Sequence, residues 1–293
     1  MINSKQLEIF IMPYTAEISR SHPTSFLFLI DQSGSMADQA SNLMMTKAQF
    51  VADALNRVVM NLIARSSKAE GIRNYFEIGV IGYGGNGVKN PLQGAFAGKV
   101  FNPVSLFEQF PLSVEDRVKK IPDGAGGVAE EKIKFPVWFV PEATGGTPMR
   151  EGLKIAAIEL ASWCDDHPLS YPPTVLHVTD GESSDGDPEI IAEQMKKLST
   201  DDGQVLLFNL HTSDEGIRPI KFPVHEDEIT DMHGKTLYRM SSNLPEGVSL
   251  AAREKGYSVA DKSKGFFFNV EPIEIVDFFD IGTRASSKSM QLR

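Results

Sequence analysis

Short apolar runs alternate with longer amphipathic stretches along most of the chain. The run 24–30 (TSFLFLI) is dominated by large apolar residues, a pattern typical of a strand that is buried on both faces of a sheet. Shorter runs of the same kind predict further strands at 77–81, 174–179, 204–210 and 265–270. Patterns with helical spacing predict helices over 41–65, 148–163, 188–198, 244–255 and 273–279.

Strands that alternate with helices, without hairpin turns between most of them, predict a mostly parallel sheet with helices on both faces. The segment 84–141 interrupts this alternation and is rich in Gly, Pro and Val. We expect it to form an antiparallel edge hairpin followed by an irregular insertion. The tail from about residue 284 is rich in Ser and Lys and is expected to be mobile. The sequence therefore predicts one three-layer α/β/α domain over residues 1–293.

Composition narrows the class of protein. The chain has 29 Lys and Arg against 39 Asp and Glu, a net charge of −10, which argues against a nucleic-acid backbone as the main partner. No run approaches the roughly 18 apolar residues of a membrane helix, and residues 1–10 lack the apolar core of a signal peptide. The single cysteine, Cys164, cannot form an internal disulfide, so a reducing compartment is expected. These features predict a soluble cytoplasmic protein.

Three polar loops follow predicted strands or precede predicted helices. They are 31–35 (DQSGS), 144–148 (TGGTP) and 179–182 (TDGE). In open α/β sheets, ligands bind beyond the carboxyl ends of the strands, where the strand order reverses. We therefore expect the three loops to converge on one site.

These loops carry carboxylates and hydroxyls, which are hard oxygen ligands suited to a Mg²⁺ ion that keeps some of its waters. The alternate spacing of Asp31, Ser33 and Ser35 suits a tight loop whose side chains face one ion. Gly34 allows that backbone to turn without a Cβ clash. The residues themselves therefore predict a divalent-metal site.

Taken together, the three loops resemble a known family. The pattern D-x-S-x-S … T … D is similar to the metal-ion-dependent adhesion site (MIDAS) of von Willebrand factor A (VWA) domains, and the resemblance covers about residues 24–270. It implies a Rossmann-like VWA fold, with Asp31, Ser33 and Ser35 as ligands from the first loop, Thr147 from the second and Asp180, often through a water, from the third. It also implies that Mg²⁺ (or Mn²⁺ or Ca²⁺) binds there, with its open position filled by a Glu or Asp carboxylate of a protein partner.

Each loop also has a simpler explanation. Thr147 is explained equally well as the hydroxyl cap of a helix that opens with Pro148. The Asp180-Gly181 pair is explained as a turn, and residues 33–35 as a plain loop. Any one of these simpler explanations is ordinary by itself. Because all three would have to hold at once, the metal site is the favoured explanation.

Two enzyme-like motifs are incomplete. The segment 82–87 has the spacing of a dinucleotide-binding GxGxxG loop, but Pro91 follows where a helix is required, so no cofactor-binding residue is predicted. The strand before Asp31 is similar to the opening of haloacid-dehalogenase-type phosphotransferases. Those enzymes have a second Asp as proton donor where this chain has Ser33.

The remaining candidates are better explained by structural roles. The acidic run 182–187 lacks the spacing of an EF-hand loop, and Asp187 is typical of a helix start. His177 lies inside a predicted strand and is expected to be a packed core residue. His211 ends the next strand, where it would border the site, but a structural role is the better explanation. Cys164 is expected to be a small buried hydrophobe.

Softer similarities favour one group within the VWA family. Segments 171–174 (YPPT), 240–245 (MSSNLP) and 279–284 (FDIGTR) are similar to bacterial intracellular VWA proteins of the tellurium-resistance type. That resemblance implies association with protein kinases and metal-dependent protein phosphatases, in stress response or phage defence.

The leading hypothesis is a metal-dependent protein-interaction module that acts as scaffold or regulator in a bacterial signalling assembly. The sequence offers no obvious nucleophile–base pair near the three loops, so binding is favoured over catalysis and no catalytic residue is predicted. Two alternatives stay open. One is a Mg²⁺-dependent hydrolase or phosphotransferase with Asp31 as nucleophile or metal ligand, and the other is a VWA partner of an AAA+ ATPase.

Overall fold

A computed structural model of the chain describes residues 13–39, 45–122, 128–212, 218–270 and 272–284. Its strands are β1 (Thr24–Gln32), β2 (Ser67–Lys68), β3 (Gly71–Ile72), β4 (Phe76–Gly84), β5 (Gly87–Lys89), β6 (Phe101–Pro103), β7 (Ser113–Pro122), β8 (Val128–Val137), β9 (Thr174–Thr179), β10 (Ser199–Thr200), β11 (Gly203–Gln204), β12 (Leu206–His211), β13 (Ile220–Lys221) and β14 (Phe266–Phe268). Its helices are α1 (Lys47–Ser66), α2 (Val104–Gln109), α3 (Met149–Asp166), α4 (Glu189–Met195), α5 (Met232–Met240), α6 (Glu246–Glu254) and α7 (Pro272–Gly282). Within these residues, none of the helices is long and apolar enough to cross a lipid bilayer.

One sheet contains most of the longer strands. Its order is β13-β14-β12-β9-β1-β4-β5, and β6 also pairs with β4. The strands from β14 to β4 run parallel to one another, whereas β5 and β6 are antiparallel to β4 and β13 is antiparallel to β14. The chain passes from β1 to β4 on one side and later to β9 on the other, so the strand order reverses beside β1. A ligand crevice is therefore expected at the carboxyl end of β1.

Helices cover both faces of this sheet because the side chains of its strands alternate between two apolar clusters. On β1, Phe26 and Phe28 belong to the cluster that includes residues of α1, α6 and α7. Leu27 and Leu29 belong to the opposite cluster, with residues of α3, α4 and α5. Every residue of β1 is buried, and each large apolar side chain buried in this way stabilises the fold by roughly 1.5–3 kcal/mol. The predicted three-layer α/β/α arrangement is confirmed.

Some predicted boundaries differ from the observed ones. Helix α1 begins at Lys47, because the Thr46 side chain accepts a hydrogen bond from Gln49 N at 3.2 Å and Gln49 Oε1 accepts one from Thr46 N at 2.8 Å. This reciprocal capping fixes the helix start. The residues 41–44 of the predicted helix lie outside the described residues, as does the predicted mobile tail from 285 onward. The assignment of 1–293 to a single domain stays a prediction.

The segment 84–141 requires the main correction. Its predicted edge hairpin is present as β4 and β5, but the part expected to be irregular contains β6, α2 and a second hairpin made of β7 and β8. Arg117 of β7 pairs with Asp53 of α1 at 2.9 Å, so this hairpin lies beside α1. The sequence pattern does not predict it, because charged residues interrupt the apolar alternation that marks a strand.

A buried polar network crosses the face of the sheet that α3 and α5 cover. His177 of β9 is fully buried; its Nε2 accepts a hydrogen bond from Tyr83 Oη at 2.6 Å and its Nδ1 donates to Asn209 Oδ1 at 2.7 Å. Asn209 Nδ2 donates in turn to Leu237 O and Ser241 Oγ, which assigns these donor and acceptor roles. The neutral imidazole is fully satisfied, and burial lowers the pKa of His177 to about 4.

We expect the His177 imidazole to stay neutral down to about pH 4 in the folded protein. An unfolded chain takes up this proton near pH 6.5. The unfolded state therefore binds more protons between these pH values, and the free energy of unfolding falls as pH is lowered through them, with a share of about 3 kcal/mol from this ring. Nitrogen NMR of the labelled imidazole measures the titration directly. A folded-state titration close to the unfolded-state value would contradict the prediction.

Candidate metal centre

The first two predicted loops meet at the carboxyl end of β1. Gly34 N donates to Gly145 O at 2.8 Å, and Thr144 N donates to Gln32 O at 2.8 Å. On the other side of the second loop, Gly85 N donates to Thr144 O at 2.5 Å. The second loop is therefore fixed between the ends of β1 and β4.

The contact between the second loop and the turn that follows β4 requires glycine on both sides, at Gly145 and at Gly85. A Cβ atom added to Gly145 would lie 2.3 Å from the Cα of Gly85, and one added to Gly85 would lie 2.7 Å from the Cα of Gly145. Gly145 also has a φ of +68°, which disfavours residues that carry a Cβ. Gly85 belongs to the segment 82–87 with its dinucleotide-like spacing, and in this fold it allows two loops to touch.

The third loop continues through residues 183–187 to the start of α4, and this continuation is joined to the second loop through the backbone of Thr147. Ser184 N donates to Thr147 O at 2.9 Å, and Thr147 N donates to Ser184 Oγ at 3.0 Å. Thr147 itself is buried, with 9% of its surface exposed. The three loops therefore converge as predicted.

The alternative explanation of Thr147 as a helix cap is wrong. The N-cap residue of α3 is Pro148 and not Thr147, and no hydrogen bond from the N-cap side chain caps the helix. The amides of Arg150 and Glu151 donate instead to the two carboxylate oxygens of Asp185, at 2.9 and 2.8 Å. The third loop thus caps α3, and the Thr147 hydroxyl is not required for that task.

The acidic run 182–187 provides carboxylates that accept hydrogen bonds from the N-terminal amides of two helices, α3 and α4. Besides Asp185 at the start of α3, Asp187 Oδ1 accepts a hydrogen bond from Glu189 N at 2.9 Å, at the start of α4. Carboxylates next to helix N-termini are stabilised by the amides and the helix dipole. The prediction that Asp187 marks a helix start is confirmed.

Asp31, the first predicted ligand, lies at the end of β1 and is 1% exposed. Its Oδ1 accepts a hydrogen bond from Ser33 N at 2.8 Å, and its Oδ2 accepts one from Thr179 Oγ1 at 2.7 Å. Burial raises the pKa of this carboxyl to about 6, although both hydrogen bonds favour the ionised form; the nearby Asp180 charge raises it further. The carboxylate is held in a fixed orientation but is poorly neutralised.

Asp180, the predicted third-loop ligand, is linked to the first loop. Ser35 Oγ donates to Asp180 Oδ1 at 2.7 Å, and Ser35 Oγ lies 3.1 Å from Ser33 Oγ. Asp180 Oδ2 accepts a hydrogen bond from Lys47 Nζ at 3.0 Å. Asp31, Ser33, Ser35 and Asp180 therefore form one hydrogen-bonded group, which we call the oxygen cluster.

Sequence reasoning missed two residues of this site. Thr179 belongs to the predicted third loop but is not among the predicted site residues, although its hydroxyl orients Asp31. Lys47 carried no usable signal, because the sequence pattern predicts a helix that begins at residue 41 and so puts Lys47 inside it. The structure shows that α1 begins at Lys47, where a cation opposes the helix dipole.

The donor set of the oxygen cluster fits a hard divalent cation. It supplies carboxylate and hydroxyl oxygens, and Ser35 is exposed, so the cluster reaches the surface. Across the part of the chain that the structure describes, no group of three or more His, Cys, Asp or Glu side chains is arranged to hold a metal. An ion at this site would therefore depend on the serine and threonine hydroxyls, as the MIDAS pattern implies.

His211 and Cys164 occupy buried positions. His211 ends β12, and its ring stacks on Phe268 with the centroids 5.0 Å apart. Burial lowers the pKa of His211 to about 4, against the opposite effect of the Asp231 and Asp180 charges. Burial raises the pKa of the Cys164 thiol to about 11. Both side chains have the packed surroundings expected of structural residues.

Comparison with known proteins gives limited similarity. No protein-family profile matches the sequence, and no curated protein is significantly similar to it. The pilus adhesin SpaC from Lactobacillus rhamnosus GG is 13% identical, with 92% of this chain and 32% of that chain covered and a TM-score of 0.47. The PilB minor pilin from Streptococcus sanguinis is 10% identical, with 93% and 62% covered and a TM-score of 0.44. The vWF domain of the type V pili tip protein Mfa5 from Porphyromonas gingivalis is 17% identical, with 55% and 39% covered and a TM-score of 0.31.

These similarities are too low to assign the chain to a family or a function. The chain spans 32%, 62% and 39% of the lengths of those three structures. The sheet order and the helices on both of its faces establish the fold class independently. That arrangement is consistent with a Rossmann-like VWA fold, with a mostly parallel sheet and antiparallel strands at its edges.

Proposed function

We propose that this protein is a metal-dependent protein-interaction module of the VWA type. The observation that carries the proposal is the convergence of the oxygen cluster at the carboxyl end of β1, with Thr147 in the adjoining loop. The residue types and their order match the MIDAS pattern, and the strand order reverses at this place. Mg²⁺, or Mn²⁺ or Ca²⁺ in its place, is the kind of ion that such a donor set suits.

Each residue of the cluster has a role in this proposal. Asp31, held by Ser33 N and Thr179 Oγ1, provides a fixed carboxylate, and Asp180 provides a second. The serine and threonine hydroxyls add dipoles without adding charge. A bound divalent ion supplies an electrophilic position for the Glu or Asp carboxylate of a protein partner. The exposure of Ser35 puts that position within reach of another protein.

The geometry supports binding rather than catalysis. A nucleophilic carboxylate needs an oxygen that can approach a substrate. Asp31 is 1% exposed, and both of its oxygens accept hydrogen bonds from inside the protein. These contacts suit a metal ligand better than the nucleophile that the hydrolase or phosphotransferase alternative requires.

A cavity beside the third loop offers room for neighbouring residues of a partner. Its volume is about 350 Å³, and its lining includes Gly181, Glu182, Met149, His233 and Leu237. Gly181 directly follows Asp180, so the cavity adjoins the proposed ion site. A mixed polar and apolar surface next to a metal-bound carboxylate is suited to recognising a protein segment.

The biological setting is the finer part of the proposal and rests on the sequence resemblance. We propose a scaffold or regulator in a bacterial cytoplasmic signalling assembly, in stress response or phage defence. A protein kinase and a metal-dependent protein phosphatase are the proposed partners, and an AAA+ ATPase is the alternative partner. The module itself is proposed to carry no enzymatic activity.

Removal of the Thr147 hydroxyl tests the proposed site. We expect wild-type protein to bind one Mn²⁺ per chain and Thr147→Val to bind it at least about tenfold more weakly, a loss of about 1.4 kcal/mol. The loop contacts of Thr147 use its backbone, so the variant should keep its fold. Electron paramagnetic resonance of free Mn²⁺ measures both affinities. Ser183→Ala, which removes a hydroxyl that donates to Asp185 at 2.7 Å, is the matched control.

Partner capture extends this test. Wild-type protein and Thr147→Val are used as baits in Mg²⁺ and in EDTA, and a captured protein is then retested with its Asp and Glu residues replaced by Asn and Gln. We expect wild-type protein to capture the partner in Mg²⁺ but not in EDTA, and Thr147→Val to capture less of it. Replacement of one Asp or Glu of the partner should also abolish capture. Wild-type protein that binds no divalent ion, or Thr147→Val that binds as tightly as wild type, would refute the proposed site.

A further inference from the structure

Lys47 introduces a positive charge into the proposed ion site. Its Nζ lies 3.0 Å from Asp180 Oδ2, and the two side chains are 8% and 0% exposed. The residues are 133 positions apart in sequence, so the fold creates this pair. A buried ion pair of this kind is costly to disrupt, because the remaining charge is left without compensation.

The position of Lys47 on α1 indicates that it serves Asp180. It is the first residue of the helix, where a cation opposes the helix dipole. The first turn of α1 contains no acidic residue to offset that charge. Asp180 supplies the compensation from a different loop, while its other oxygen accepts the hydrogen bond from Ser35. The helix dipole disfavours a lysine at this position, whereas the ion pair with Asp180 favours it.

We propose that Lys47 is the built-in counter-ion of Asp180 and sets the affinity of the site for a divalent cation. This inference rests on the proposed function, since it concerns the same site. Asp31 and Asp180 together carry two negative charges, and Lys47 cancels one of them. Its ammonium group also takes the Oδ2 lone pair that an ion or its bound water would otherwise use. Metal binding must therefore compete with Lys47.

Two consequences follow for the protein without metal and with it. Without metal, Lys47 reduces the repulsion between the two neighbouring carboxylates at the end of β1 by pairing with Asp180. With metal, the same charge opposes the ion through a short distance in a partly buried site, where screening by salt is weak. Lys47 thus stabilises the metal-free fold and weakens ion binding.

Three variants test this role. Lys47→Gln removes the charge but keeps a hydrogen-bond donor, Lys47→Arg keeps the charge, and Lys255→Gln is the matched control, because Lys255 pairs with Asp277 at 2.7 Å on another part of the surface. We expect Lys47→Gln to bind Mn²⁺ and Mg²⁺ at least about tenfold more tightly than wild type, about 1.4 kcal/mol. It should also melt at a lower temperature in EDTA and gain more from added Mg²⁺. The affinity of Lys47→Arg for these ions should lie within about threefold of the wild-type affinity. The affinity of Lys255→Gln should equal that of wild type.

The outcomes separate this inference from the proposed function. If wild type binds Mn²⁺ but Lys47→Gln binds it equally or more weakly, the inference fails and the proposed function stands. If wild type binds no divalent ion, both fail. If Lys47→Gln does not fold in EDTA, the inference expects Mn²⁺ to restore its circular dichroism spectrum, because the ion replaces the missing cation. Failure of that rescue overturns the inference.

Discussion

Asp31→Asn is expected to abolish Mn²⁺ binding and, in the absence of metal, to make the folded protein more stable at alkaline pH. Binding is lost because the substitution removes one of the two carboxylates in the oxygen cluster, the one that the Ser33 amide and the Thr179 hydroxyl hold in a fixed orientation. The carbonyl oxygen of Asn still accepts the hydrogen bond that Ser33 N donates to Asp31. Asp31→Ala should also lose the ion, but it leaves the donors of Ser33 and Thr179 without an acceptor, so Asn is the cleaner replacement.

The gain in stability follows from the raised pKa. Burial raises the pKa of Asp31 to about 6, whereas the unfolded chain titrates near 3.9. A carboxyl group with a raised pKa favours the protonated folded state. Its contribution to stability is therefore present below about pH 4 and is lost as pH rises through about 6. Well above that pH, the ionised Asp31 lowers the free energy of unfolding by about 3 kcal/mol, and Asn avoids this cost.

Urea denaturation in EDTA at about pH 5 and about pH 8 measures the difference between wild type and Asp31→Asn. The gain of the variant over wild type should be larger at the higher pH. Asp53→Asn is the matched control, because its carboxylate pairs with Arg117 outside the oxygen cluster. A variant that is less stable than wild type at alkaline pH, or that still binds Mn²⁺, would contradict the prediction.

Gly145→Ala is expected to destabilise the protein by about 3 kcal/mol or more and to weaken ion binding with it. The new Cβ would lie 2.3 Å from the Cα of Gly85, which is backbone and cannot rotate away. The φ of +68° adds strain for any residue that carries a Cβ. Relief of the clash must separate the second loop from the end of β4, and Thr147 moves with that loop.

Gly87→Ala provides a matched control for this substitution. Gly87 has a φ of +81° but no heavy atom within 4 Å of an added Cβ. It therefore carries the backbone strain alone, which costs about 1–2 kcal/mol. Urea denaturation compares the two variants, and Mn²⁺ titration shows which of them disturbs the site. If Gly145→Ala is no less stable than Gly87→Ala, the close contact between the loops is not a constraint.

The fold class can be predicted from the sequence because the burial of apolar side chains leaves a local, periodic pattern in it. The run 24–30 is apolar on both faces, so it had to be a central strand. The β7–β8 hairpin escaped prediction because its strands are held by pairing with each other and by the Arg117–Asp53 contact. Neither of these interactions produces an apolar pattern.

The candidate site likewise contains residues that local spacing predicts and residues that only long-range contacts bring to it. Asp31, Ser33 and Ser35 were predictable because their spacing in one loop carries the chemistry. Lys47 and Thr179 act through contacts with the distant residues Asp180 and Asp31. Such long-range contacts depend on the packing of whole elements, and no local spacing encodes them. Their assignment required the three-dimensional structure.

The hydrogen bonds within the oxygen cluster have a consequence for the entropy of binding. Asp31, Ser35 and Asp180 are each restrained by contacts made within the folded chain. A side chain that becomes immobilised on binding costs about 0.5–1.5 kcal/mol. Here most of that rotational freedom is lost when the chain folds. An arriving ion or carboxylate therefore meets groups that are already in place, and more of its interaction energy is available as affinity.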